Sequence, residues 1–268
     1  MPLLKRLGSP LLVILLGLLA TIAATATVDR MQDERRADRF AALADSVAGS
    51  VEDQLEAHRL LLRGVAAFFQ ASDDIGRVEF ADYVNRLRLA RNHPGTLGIG
   101  FSLRVENEAQ LSAATERMRA DGLSGFQPWP EPFTYPASSI LLLEPQSSAN
   151  RRALGFNMYG EAVRREAMRR ATQTGQAALS GKVQLVQDGP SRDNPGFLIY
   201  VPVGRETGAR PGTAAYRASG WAYSPLRAEE IVGAAMARPG LEAARLELFD
   251  GAPSAASLLF RSPDFGSP

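Results

Sequence analysis

The sequence contains no cysteine, which excludes disulfides, thiolate metal sites and cysteine nucleophiles. It has only two histidines, His58 and His93, lying in segments of different type and without metal-ligand spacing. Neither sign of charge is in excess. Thirty Lys and Arg stand against 29 Asp and Glu, so no global field draws in nucleic acid. A phosphate-binding loop, a dinucleotide fingerprint and a nucleophile elbow are all missing, and no carboxylates pair at a recognisable spacing. No catalytic constellation, cofactor or metal is therefore expected. What is present is an ordinary globular balance over 268 residues, 45% hydrophobic and 22% charged, enough for one large domain or two smaller ones.

The N-terminus carries an uncharged run from Leu7 to Val28 behind Lys5 and Arg6. As a helix, such a run spans about 33 Å, and the basic flank orients the preceding residues to the cytoplasm. This predicts a cytoplasmic segment over 1–10 and a transmembrane helix over 11–28. Residues after about 28 would then be periplasmic, on a single-pass inner-membrane protein. A cleaved signal peptide ending near Ala24-Thr25-Ala26 is the rival reading, and the length of the run favours the retained anchor. From Phe40 to Phe69 apolar residues recur at steps of four and three, through Val51, Leu55, His58, Leu62 and Val65. That period predicts a helical stalk over 29–75. Its stripe either packs on its own domain or pairs with the same face of a second copy, and we expect some of both.

Beyond the stalk the periods alternate. Val78 to Leu87 reads as a helix stopped by Asn92-His93-Pro94-Gly95, and Leu97 to Val105 alternates as a strand. A helix over Glu108 to Ala120, a buried strand over Ser139 to Leu143 and a helix over Glu161 to Thr174 follow, the last closed by Gly175. On this last helix Val163, Ala167, Met168 and Ala171 form the apolar face. Arg164, Arg165, Arg169 and Arg170 face water, with Glu161–Arg165 and Glu166–Arg170 paired four residues apart. Self-neutralisation of that kind argues against a nucleic-acid grip. "KVQLVQ" and "GFLIYVPVGR" read as strands around the turn-rich "DGPSRDNP", and "YRASGWAYS" as another. Ser224 and Pro225 then look like the cap and first residue of a helix, with "ARLELFDG" and "ASLLFR" as final strands. The fold class is α+β.

Between Pro94 and Val203 the chain resembles the CHASE domain family. These are extracellular sensory modules of membrane histidine kinases and nucleotide cyclases. The features that carry the resemblance are "HPGTLGIGFSLRV", "LLLEP", "NRRALGFNMYGEAVRREAMRRATQTGQAALS", "VQLVQ" and "GFLIYVPV", in the family's order. The resemblance implies a sensory domain over 76–268 with tandem PAS-like antiparallel sheets, a homodimer and a small-molecule pocket. In plant members the ligand is a cytokinin. Carried over by position, Glu144 matches a ligand-binding carboxylate and Met168 an apolar lining position. Ser180 matches a pocket hydroxyl, and Leu198 and Tyr200 belong to the pocket floor. Asn157 stands where the family usually has aspartate, a departure that weakens the case for a cytokinin.

The function this implies is sensing of a small organic ligand, with the signal passed to a kinase or cyclase output. The chain ends at "FRSPDFGSP" without a second membrane helix or an output domain. An anchored adaptor without its own output and a structural stalk protein are the alternatives, and a signalling partner or an absent output domain is expected.

Overall fold

The computed structural model describes residues 3–72, 75–189, 195–204, 218–241, 244–263 and 265–266, with side chains from Leu15 onward. The chain divides into two compact units, Met1–Gly49 and Ser50–Pro268. The first unit is helical throughout its described length and belongs to the long helix α1 (Leu3–Ala71). No helix of the described residues is long and apolar enough to cross a membrane. The described uncharged side chains run only from Leu15 to Val28, and Asp29 and Arg30 follow without a break in the helix. Fourteen residues at helical rise cover roughly 21 Å, short of a hydrocarbon core of about 30 Å. The transmembrane helix over 11–28 and the single-pass inner-membrane placement are therefore corrected. Residues 1–2 of the expected cytoplasmic segment 1–10, and the side chains of residues 3–14, lie outside the described residues.

The second unit is built on one antiparallel sheet. Its strands are β1 (Ile99–Val105), β2 (Ala137–Glu144), β3 (Ala178–Leu179), β4 (Val183–Gln184), β5 (Pro195–Val203) and β6 (Gly220–Arg227), in the order β2-β1-β6-β5-β3 with β4 also on β5. A separate hairpin pairs β7 (Glu247–Phe249) with β8 (Leu258–Arg261). The α+β class holds. Instead of tandem PAS-like sheets, the described residues form one six-stranded sheet and a two-stranded hairpin.

Helices cover both faces of this sheet. On one side Leu62, Val65 and Ala66 of α1, Phe80 and Val84 of α2 (Arg77–Leu87) and Ile231 of α7 (Ala228–Met236) pack against Phe197, Ile199, Val201 and Val203. On the other side Ala167, Met168 and Ala171 of α6 (Ala162–Thr174) pack against Leu198, Tyr200, Trp221 and Tyr223. Strand β5 therefore reads as a continuous apolar run because neither face meets water. The helix α4 (Glu108–Ala120) starts where expected, its cap Asn107 accepting from the Gln110 amide, while α3 (Leu89–Asn92) and α5 (Ser148–Ala153) are short connectors.

Three local expectations change. Ser224 and Pro225 lie inside β6, where Ser224 Oγ donates to Gly98 O at 2.8 Å, and α7 begins at Ala228 with no side-chain cap. The sheet uses the Ser-Pro pair as strand although its local chemistry suits a helix start. "KVQLVQ" yields only the short β4 before a 3-10 turn at Val186–Asp188. The stalk stripe is also not free for a second copy, since Leu62 and Val65 are wholly buried in their own unit and Leu55 packs beside them.

This burial makes a stability test specific. Leu62→Ala is expected to cost about 2–5 kcal/mol in chemical denaturation, the range for truncating a core leucine. Leu60→Ala, two residues along but 57% exposed, is expected to change stability by less than about 0.5 kcal/mol. Equal costs would mean that this stretch of α1 is not docked on the sheet.

Candidate functional site

The α6 side of the sheet holds several of the buried polar side chains, Arg164, Asn157 and Ser180 among them. The helix closes at Gly175, in the left-handed region at φ 68°, as its sequence predicts. Its inward stripe differs from expectation. Val163 is 39% exposed, and Arg164 is only 5% exposed, in line with Met168 and Ala171 at steps of four and three. Arg164 Nη2 donates to Gln184 O at 2.7 Å, its guanidinium lies 5.4 Å from the Phe156 ring centroid, and its ion-pair partner is Glu161. Glu166 likewise pairs with Arg169, at 3.5 Å. Both acids thus pair three residues ahead instead of four. Arg165 donates to Tyr159 O and Gly160 O, and Arg170 to Leu179 O, so these two tie turns to the helix. Of the four arginines, one is buried, two hold backbone carbonyls and one is a surface ion pair.

Beside Arg164 stand two fully buried tyrosines whose rings lie 6.2 Å apart. Tyr200 donates to Met158 Sδ at 3.4 Å, whereas the Tyr223 hydroxyl has no partner among the described residues. Burial pushes both phenols up and Arg164 down from their ordinary values, and the charge of Arg164 partly offsets the shift at each tyrosine. Trp221 closes the cluster, donating to Met168 O at 3.0 Å and to Thr172 Oγ1 at 3.1 Å. Gly100 of β1 is required here, because a Cβ would lie 2.6 Å from the Tyr223 ring.

The loop from Leu154 to Glu161 forms the outer rim. Gly155, at φ 81°, passes so close to Gln127 that a Cβ would lie 2.2 Å from its carbonyl oxygen. Asn157 is the hub of the loop. Its Oδ1 accepts from Ser138 N at 3.0 Å and Gly160 N at 3.2 Å, and its own N donates to Trp129 O at 2.7 Å. An aspartate would make the same acceptor bonds, so asparagine here keeps the loop geometry and removes a charge. Outside this hub lies a groove of 760 Å³, with Asn157, Tyr159, Glu161 and Arg165 on one wall and Pro132 and Thr134 on the other. A second concavity of 600 Å³, floored by Phe101 and Leu142 and flanked by Phe69 and Ala114, opens on the α1 side.

Of the residues expected in a pocket, Met168, Leu198 and Tyr200 meet in the α6-side core and Asn157 reaches the groove. Ser180 lies at the edge, its Oγ accepting from Leu198 N at 2.9 Å and donating to Gly181 O at 2.8 Å, so backbone groups satisfy it. Glu144 does not join them. It pairs with Ile99 at the end of β2, next after Leu143, whose side chain belongs to the α6-side core, so the pleat turns Glu144 to the opposite face. The sequence reading misses Arg164, Glu161, Trp221 and Tyr223. Only the phase of the helix would have shown Arg164 facing inward. The structure also brings together the two histidines. His58 Nδ1 lies 2.6 Å from Gln54 O and Nε2 2.8 Å from Thr96 Oγ1, with the His93 ring edge-on at 5.7 Å. Burial holds both below the ordinary imidazole range, and no group of three metal-ligating side chains exists among the described residues.

The Glu144 carboxyl is raised above the ordinary glutamate range by burial, opposed by the Gln146 side chain and by Arg77. A carboxyl raised in the folded state contributes stability that is present in acid and lost as pH climbs through the raised value. Glu144→Gln is therefore expected to be more stable than the wild type at neutral pH, with the difference vanishing toward acid. Denaturant titrations across that range check the sign, and a variant less stable at neutral pH would show that the carboxylate is held by a partner.

No protein of established function matches the chain. A model of the CHASE domain matches residues 73–260, which takes in the whole sheet and α6. The chain belongs to the CHASE domain family, the sensory domains of signalling proteins.

Proposed function

We propose that this domain senses a small organic ligand held in the groove outside Asn157, and that binding biases the output of a kinase or cyclase partner. One observation carries the reading. The stretch from Ala153 to Ser180, which resembles the family most specifically, supplies one wall of a 760 Å³ groove as well as Arg164 and Met168 beside it. A concavity of this size, with a few convergent polar groups, suits a small molecule. Met168, Leu198 and Tyr200 support the rim from below, and a ligand that shifts the rim would press on α6 and through it on β5. Pairing of two copies is part of the proposal. It is supported by Phe40 and Leu43, exposed apolar residues on α1 within the first unit.

Thermal-shift screening of the whole chain against adenine derivatives, amino acids and small carboxylates tests the ligand reading. A compound that stabilises the wild type is expected to lose its effect in Thr134→Trp, which fills the groove, and to keep it in Ala114→Trp, which fills the opposite concavity. The reverse pattern would move the site to the α1 side, and silence across the panel would defeat the reading. For pairing, single cysteines at Phe40 and Leu43 are expected to crosslink more strongly than one at exposed Glu52, a clean comparison in a chain without cysteine. Equal yields would argue against a dimer through this face.

A further inference from the structure

Arg164 is a buried cation whose ion-pair partner among the described residues is Glu161. A guanidinium taken out of water loses several kcal/mol of solvation, and only a close, well-aligned anion offsets this. The partner supplied by the chain is Glu161, which differs from Arg164 in accessibility. The Glu161 side chain is 38% exposed and lines the groove, while that of Arg164 is 6% exposed beneath it. Glu161 occupies the cap position of α6 yet makes no side-chain capping bond, so the helix does not need its carboxylate there. Among the described residues its ion-pair contact is the Arg164 guanidinium, which its Oε2 meets directly. Deeper in, buried Tyr223 carries a hydroxyl without a partner among the described residues, and the charge of Arg164 acts on it. A buried polar group left without a partner costs about 1–3 kcal/mol. The fold thus keeps a buried cation next to the groove wall, with the Glu161 carboxylate as the part of the pair that lines the groove.

We infer that Glu161 is a stand-in for the ligand, and that the ligand is a small carboxylate that displaces it from Arg164. This rests on the groove being the sensor's ligand site, and it names the chemical class that the site takes. The planar fork of an arginine matches a carboxylate through two parallel hydrogen bonds, a geometry that a neutral amide does not reproduce with equal strength. The rings of Phe156, beside the guanidinium, and of Tyr159 both line the groove and give the apolar part of such a ligand an aromatic wall. The released Glu161 swings into the groove. Since Glu161 immediately precedes α6, its movement links occupancy to the position of that helix.

Chemical rescue tests the exchange. Glu161→Ala removes the stand-in and leaves room for a free anion, so its melting temperature is expected to fall below that of the wild type. Acetate or propionate should restore it, while acetamide, propionamide and sodium chloride at matched ionic strength should not. In isothermal titration, Glu161→Gln is expected to bind these carboxylates about tenfold more tightly than the wild type, because the competing charge has gone. Arg164→Gln should abolish the response. If that variant does not fold, the gain in Glu161→Gln carries the test alone. Rescue by chloride or by the amides to the same degree overturns the inference, and so does absence of any carboxylate effect in both Glu161 variants. A carboxylate effect that survives Thr134→Trp would leave the Arg164 chemistry standing and defeat the groove reading, so the two failures are distinguishable.

Discussion

Strand β5 is covered on both faces, and the rest of the second unit is arranged around that constraint. Phe197, Ile199, Val201 and Val203 face α1, α2 and α7, while Leu198 and Tyr200 face α6. Each such side chain contributes roughly 1.5–3 kcal/mol by leaving water. Neither layer of helices can therefore be lost without exposing half of the central strand. The small residues Ala167 and Ala171 let α6 approach closely. Trp221 fixes the distance by donating to Met168 O and Thr172 Oγ1.

Close approach of α6 traps polarity as well as apolar surface. Arg164 falls on the inward stripe and cannot reach open water, so Gln184 O, the Phe156 ring and Glu161 must meet its needs. Asn157 plays the complementary part at the rim, where one side-chain oxygen joins β2 to the turn at Met158–Gly160. A rim held by a neutral asparagine beside a buried cation is an electrostatic feature of this face. In a sensory domain such an arrangement suits a switch of the kind proposed, in which occupancy would change the partner of a charge that cannot be left alone.

The two faces of the sheet are not equivalent. The α1 side joins the long helix to the sheet through Leu62 and Val65 and through the contact of His58 with Thr96. The α6 side holds the polar cluster and the groove. Since β5 and β6 contribute alternate residues to both layers, a displacement of Tyr200 or Tyr223 is passed to Ile199 and Ala222 on the far side by the pleat itself. The connection between the α6 face and the α1 face runs through these two strands.

Periodicity alone determined that the chain is α+β, that a long helix leads into a sheet, and where α4 and α6 begin and end to within a residue or two. Spacing sufficed there because the signals are local: the Asn107 cap, the left-handed Gly175, the alternation through Ile99 and Val105. The sensory family was legible too, in the block around α6. Tertiary packing decided what local signals could not. Ser224-Pro225 became strand because β5 and β1 offered partners on both sides, and Glu144 faced away from Met168 because one step along a strand reverses a side chain. The apolar run near the N-terminus looked like a membrane span, but the described helix passes directly into charged residues. Arg164 went inward and Val163 outward because a helix turns about 100° per residue. A small rotation about its axis, set by contact with Trp221 and Tyr200, selects which neighbour is buried, and no pattern within the helix itself specifies that rotation.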